Sequence, residues 1–405
     1  MKKIKEYVTA CLFLAVLFGM LAVLLFKGQG IWADIAASYR QGAGEDSSFL
    51  DRITAAIDTA ETRIDQSNPL YTEFIDLNGA FQRLTGQRVV EDLNPALTVN
   101  RLDDGRMTFT VKPLETQWKA ENLAGLSAWC AERGLPLLYV QAPFKIDPQD
   151  PQLPTGVTDY TNANADGLLA GLKEYGVDTL DLRQEIKRQG LDHASLFYKT
   201  DSHWTTDAAF WASETILKTL EQQYGLEIDP SALELKNYSS KVYENVFLGS
   251  QGKRVGRFYE GTDDVELLLP TYETAISYAI PIHNFYKEGS FEETVIDYSH
   301  IEPVDYYNKS PYYVYSGGDY PLSQIKNQKN TGGPKLLLVR DSFSCAVAPF
   351  LALGVGQGDT FDLRYNKQPL VEYIEESDPD AVVFLFNPGV IANDEMFRYG
   401  IAGEH

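Results

Sequence analysis

The pattern of apolar and polar positions changes character three times along the chain. Residues 8–26 (VTACLFLAVLFGMLAVLLF) form 19 consecutive positions without a charge, enough for one helix to cross the roughly 30 Å hydrocarbon layer of a bilayer. From 31 to about 65 the sequence is polar and Ala-rich, which predicts a helical juxtamembrane spacer. From about 115 short apolar runs alternate with stretches of helical periodicity, the pattern of a sheet with crossover helices. Trp118 to Arg133 places Leu123, Leu126 and Cys130 on one face with Gly134 just past its end, so a helix with Cys130 in the core is predicted. LLYVQ (137–141) reads as a buried strand, 167–175 as a helix closed by Gly176, and 177–182 as the next strand.

A second run of the same kind closes the chain. KLLLV (335–339), TFDL (360–363) and AVVFLF (381–386) read as strands, with helices predicted at 343–353 and 369–376, the second opening on Pro369. Strands apolar on both faces belong to a parallel sheet covered by helices on each side. Thr205 or Thr206 caps a further helix that runs to Tyr224 and ends at Gly225. Residues 226–330 break the pattern. They are rich in Tyr, Gly, Asn and Asp and are expected to form an irregular, partly β insertion. The organisation is therefore a cytoplasmic tail and apolar span at 1–30, a juxtamembrane region at 31–114, and an α/β domain at 115–405 with an insertion at about 226–330.

Composition narrows the chemistry. With 405 residues and a net charge of −22, the chain has no basic footprint for nucleic acid. Lys2, Lys3 and Lys5 flank the apolar run, which keeps that end in the cytoplasm and the rest of the chain outside. A cleaved signal peptide is the alternative, but its apolar core is shorter, about 7–15 residues, and it ends in small residues, whereas this run ends at Lys27. We read an uncleaved anchor. Cys11 lies in the apolar run, so only Cys130 and Cys345 remain for a bridge, too few for a disulfide scaffold. No metal-type Cys spacing and no Gly-rich phosphate loop occurs. Metal and cofactors are not expected.

In open parallel sheets ligands sit at the carboxyl ends of the strands. Ser342 follows the 335–339 strand through Arg340 and Asp341, at a strand-to-helix turn that exposes a nucleophile and offers helix N-terminal amides to an oxyanion. Equally, Asp341 or Ser342 is a plain helix cap. In YKTDSHW (198–204) an extended backbone would turn Asp201 and His203 to one side. A carboxylate can then hold an imidazole whose other nitrogen takes a proton from a serine. The same pair could also bind a divalent metal.

The combination YKTDSHWT (198–205), LVRDSFSCAVAPFLA (338–352), FDLRYN (361–366), YVQAPFK (139–145) and FLGSQGKRVG (247–256) resembles the SGNH-type O-acetyltransferases and acetylesterases of bacterial polysaccharides, the group of AlgX and AlgJ. It is most similar to their membrane-anchored DHHW branch, over about residues 115–390. The resemblance implies an SGNH-hydrolase-like fold with Ser342 as nucleophile, His203 as general base and Asp201 as its orienter. Ser202 stands where the branch has a first histidine, and Arg340 replaces the Gly of the usual Gly-Asp-Ser box. Candidate oxyanion or substrate groups are the Ser342 amide, Gly249, Gln251, Asn387, Lys145, Arg340 and Asp341. The expected function is addition or removal of O-acetyl groups on a cell-surface or secreted polysaccharide, outside the cell membrane, with an integral-membrane protein delivering the acyl group. Two rivals remain: a polysaccharide-binding assembly factor without activity, and a metal-dependent phosphoesterase using Asp201, His203 and Asp341.

Overall fold

The computed structural model describes residues 71–401, 403 and 404, and before them 36–40, 52–54, 56, 57 and 59. The apolar run 8–26 lies outside the described residues, and among those described no helix is long and apolar enough to cross a membrane. The described parts of 31–65 are helical. The chain divides into two compact units, Met1–Asn78 and Gly79–His405.

The second unit holds a small antiparallel sheet of β1 (Val89–Val90), β2 (Val99–Arg101) and β3 (Met107–Thr108). An α/β run follows: α1 (Gln117–Ala131), β4 (Leu137–Gln141), α2 (Thr161–Glu174), β5 (Asp178–Asp181), α3 (Leu182–Gln189) and α4 (Thr206–Tyr224). The predicted elements are in place, with shifted ends. Helix α2 starts six residues earlier than the 167 read from its apolar spacing, and Leu182 opens α3 because Asp181 caps it, accepting from the Arg183 amide.

The insertion is more ordered than its composition suggests. It holds β6 (Tyr238–Phe247) and β7 (Asp263–Pro270), which pair with each other, then β8 (Ile276–Ile280), β9 (Phe285–Gly289) and β10 (Leu322–Asn327). These last three join the main sheet. After β11 (Lys335–Arg340), α5 (Ala348–Gly354), β12 (Gln357–Phe361), α6 (Leu370–Ser377) and β13 (Ala381–Phe386), the strand order is β5-β4-β13-β11-β12-β10-β8-β9. The first five strands are mutually parallel; β10, β8 and β9 run antiparallel to their neighbours. A sheet read as mostly parallel is thus five parallel strands extended by three antiparallel ones. Polar residues blur the strand pattern in exposed β9 and in β10, whose faces alternate between buried and partly exposed.

Alternation along β4 splits its side chains between two cores: Leu138 and Val140 face α3, α4 and α5, while Leu137 and Tyr139 face α1, α2 and α6. Both faces are therefore covered. The single helix predicted at 343–353 is two elements, a 3-10 turn at Ser342–Cys345 and α5, whose Pro349 lies at its start; proline has no N–H to extend a preceding helix. Cys130 and Cys345 are both buried and free.

Lys145, a substrate candidate by its place after β4, is fully buried. Its ammonium donates to the carbonyls of Met107 (2.8 Å), Lys199 (3.3 Å) and Asp201, so it ties β3 to the segment that carries Asp201 and offers nothing to a substrate. Burial pushes its pKa down to about 7 against the pull of Asp201 and Asp263. Lys145→Met would orphan three buried acceptors at about 1 kcal/mol each. We expect about 3 kcal/mol of lost stability, read as a lower urea midpoint at unchanged slope.

Candidate active site

Parallel pairing sets the nucleophile turn. Strand β11 lies between β12 and β13, so the residues after β11 and β13 emerge side by side at the carboxyl edge. Asp341 is buried there. It accepts from the Phe343 amide (2.8 Å) with one oxygen and from both the backbone and side-chain amides of Asn387 (2.6 and 2.7 Å) with the other. The cap reading of Asp341 thus holds, and the same carboxylate fastens two strand ends together. Burial pushes its carboxyl up, against these donors. Ser342 is the first residue of the 3-10 turn, a position whose N–H has no acceptor within the turn.

The histidine segment folds differently from the extended run expected of TDSHW. Phe197 bridges Trp204, the Tyr198 amide donates to the His203 carbonyl (3.2 Å) and the Thr205 amide to the Leu196 carbonyl (2.9 Å). The chain doubles back between them. Asp201 accepts from the backbone amide of His203, two residues on, at 3.0 Å, an Asx-turn geometry. That turn, not an extended backbone, puts both side chains on one side.

His203 Nδ1 bonds Asp201 Oδ1, and Nε2 lies 2.8 Å from Ser342 Oγ. With Nδ1–H donating to the carboxylate, the Nε2 lone pair faces the serine hydroxyl, which donates. Asp201 is 3% exposed, and its second oxygen accepts from the Ser250 amide at 2.7 Å. Burial pushes this carboxyl up, but His203 and the two amides overcome it and hold it well below the ordinary carboxylate range. The three side chains meet although Asp201 and Ser342 are far apart in sequence.

The remaining candidates are engaged to different degrees. The Gly249 amide donates to Thr200 Oγ1 (2.8 Å), and a Cβ on Gly249 would lie 2.2 Å from that of Asp201, so the glycine permits a close approach and supplies no oxyanion donor. Gln251 is fully buried; its Oε1 accepts from Ser250 (3.1 Å), while its Nε2 has no partner among the described residues. Asn387 donates one of the two N–H groups of its side-chain amide to Asp341. Arg340 is buried against Asp319 (3.0 Å) and the carbonyls of Gly318 and Tyr320, which removes it from substrate binding and accounts for a charge in place of glycine. Among the described residues no group of three or more His, Cys, Asp and Glu could hold a metal ion; both oxygens of Asp341 are already engaged with amides.

Sequence reasoning missed Ser250 as a partner of Asp201, and Tyr312, whose ring stacks on the imidazole of His203. Ser250 stood inside the FLGSQGKRVG motif and was within reach of inference. Tyr312 carries no local signal.

Residues 108–248 match the family model described as SGNH hydrolase-like domain, acetyltransferase AlgX, and residues 184–357 match the DHHW protein family. No curated protein matches the chain. Among solved structures, PatB1 of Bacillus cereus superposes with a TM-score of 0.61 at 21% identity, over 73% of this chain and 98% of that one. A DHHW family protein of Eubacterium siraeum gives 0.56 at 17%, over 76% and 96%. A second PatB1 structure, described as carrying a sulfonyl adduct, gives 0.61 at 20%, over 75% and 97%. These structures share the fold of this chain, which over residues 108–357 is similar to the SGNH-like AlgX and DHHW family models.

Proposed function

We propose that the protein is a serine acyltransferase or esterase that adds or removes O-acetyl groups on a polysaccharide outside the cell membrane. One observation carries this reading: Ser342 Oγ lies 2.8 Å from an imidazole nitrogen whose ring partner is a buried carboxylate. Ser342 attacks the carbonyl of an acyl ester or thioester as His203 Nε2 takes its proton, and Asp201 stabilises the imidazolium. The negative oxygen faces the Ser342 amide at the start of its turn. As the intermediate collapses, the leaving alcohol or thiol takes the proton back and acyl-Ser342 remains. A sugar hydroxyl, or water, then gives its proton to His203 and attacks the acyl carbon, and the departing Ser342 Oγ takes that proton back from His203.

Transfer and hydrolysis differ in the second attacker alone, so the outcome depends on how the site holds a sugar and excludes water. The AlgX acetyltransferase description of residues 108–248 supports acetyl as the group; the polysaccharide acceptor is our reading from the resemblance. We read the charge-free run 8–26 as an uncleaved anchor that holds the site on the outer face of the membrane, beside an integral-membrane protein that delivers acyl groups.

Intact mass after brief incubation with p-nitrophenyl acetate tests the nucleophile. Wild type is expected to gain one acetyl and Ser342→Ala none; an adduct persisting on Ser342→Ala would assign the nucleophile elsewhere. A wild type that binds glycans yet never acylates would favour a binding or assembly role, and activity lost to a chelator would favour metal chemistry. Asp201→Asn should slow acylation by about 10⁴-fold through loss of the productive tautomer. The depressed Asp201 carboxyl contributes stability that is complete above its unfolded pKa of about 3.9 and is lost as pH falls toward its lower folded value. In urea unfolding the advantage of wild type over Asp201→Asn should accordingly shrink below about pH 4.

A further inference from the structure

We infer that Tyr312, supplied by the insertion, is the positioning residue that sets the tilt of the His203 ring. The inference rests on the reading of Ser342 and His203 as nucleophile and base. The imidazole has two hydrogen bonds, Nδ1 to Asp201 and Nε2 to Ser342. Both lie in the ring plane on opposite sides. They fix where the ring sits, but they leave it free to swing about the line joining them. A flat surface against one face removes that freedom.

Tyr312 supplies the surface. The two ring centroids are 3.8 Å apart and the planes 14° from parallel. Phe343 lies near the same imidazole at 5.2 Å, tilted by 48°. Tyr312 is itself pinned: it is 3% exposed, sits in the 3-10 turn Pro311–Val314, and its hydroxyl donates to the Phe343 carbonyl at 2.9 Å. Trp204, the neighbour of His203, donates its indole N–H to that same carbonyl at 3.0 Å. Burial keeps the phenol protonated, so the hydroxyl remains a donor. The residue after the nucleophile thus anchors both the histidine segment and the ring that stacks on the histidine. A shift of the nucleophile turn carries base and platform with it.

A core tyrosine that merely filled space would be replaceable by any side chain of similar bulk. A platform needs a ring. The test uses the full chain and p-nitrophenyl acetate, following acetylation of Ser342 by quenched intact mass. Tyr312→Phe keeps the ring and loses one hydrogen bond, so acylation should stay within about tenfold of wild type. Tyr312→Leu should lose about 10²-fold in kcat with little change in KM, the size expected from misplacing a catalytic group by about an ångström. Equal losses in both variants, or a wild-type rate in Tyr312→Leu, would overturn the inference. If Tyr312→Leu does not fold, wild type decides by NMR: the ring current of Tyr312 should move the His203 ring protons upfield, and ordinary shifts would sink the stack. A wild type that never acylates would instead overturn the underlying assignment of Ser342, and the same NMR measurement would still decide the stacking.

Discussion

A carboxylate removed from water has to find its hydrogen bonds inside the protein, and the candidate site is organised around meeting that need for Asp201. Each oxygen is engaged, one by the His203 ring and backbone amide, the other by the Ser250 amide. Close approach of Ser250 requires the neighbouring residue to lack a side chain, and Gly249 does. The Asp201 carbonyl is in turn held by the buried ammonium of Lys145. A buried charge left short of partners costs several kcal/mol. The loop at 249–252, the turn at 198–205 and the end of β4 are therefore mutually dependent, and the imidazole inherits its direction from all three.

The insertion belongs to the same machine. Three of its strands extend the sheet beyond β12, its loop at 318–320 takes the Arg340 guanidinium, and Tyr312 covers the histidine. Arg340 shows why a charge is tolerated where a glycine is usual in the resembling proteins. Its guanidinium lies against Asp319 and Cys345, and Asp319 also meets Arg364 at 3.3 Å. A guanidinium with several donors engaged is well suited to burial. The network ties the base of the nucleophile turn to the insertion.

One reading failed for a plain physical reason. Lys145 was placed correctly beyond a strand end, where ligands gather, yet its side chain turns inward to satisfy backbone carbonyls that only the folded chain presents. Position along a strand is a local property. The direction of a long polar side chain is settled by which unmet donor or acceptor lies nearest.

What the sequence by itself determined is whatever depends on near neighbours: the continuous apolar strands at 137–141, 335–339 and 381–386, a helix cap at Thr205 or Thr206, and an aspartate and a histidine two residues apart. Periodicity and capping report on a few residues at a time, so they survive in the bare chain. Only tertiary structure decided that strands from the polar insertion join the sheet, that Asp341 bridges two strand ends, and that Tyr312 lies flat on His203. Each of those contacts joins segments whose own patterns are indifferent to it, and becomes favourable when the buried cores on both faces of the sheet bring them together.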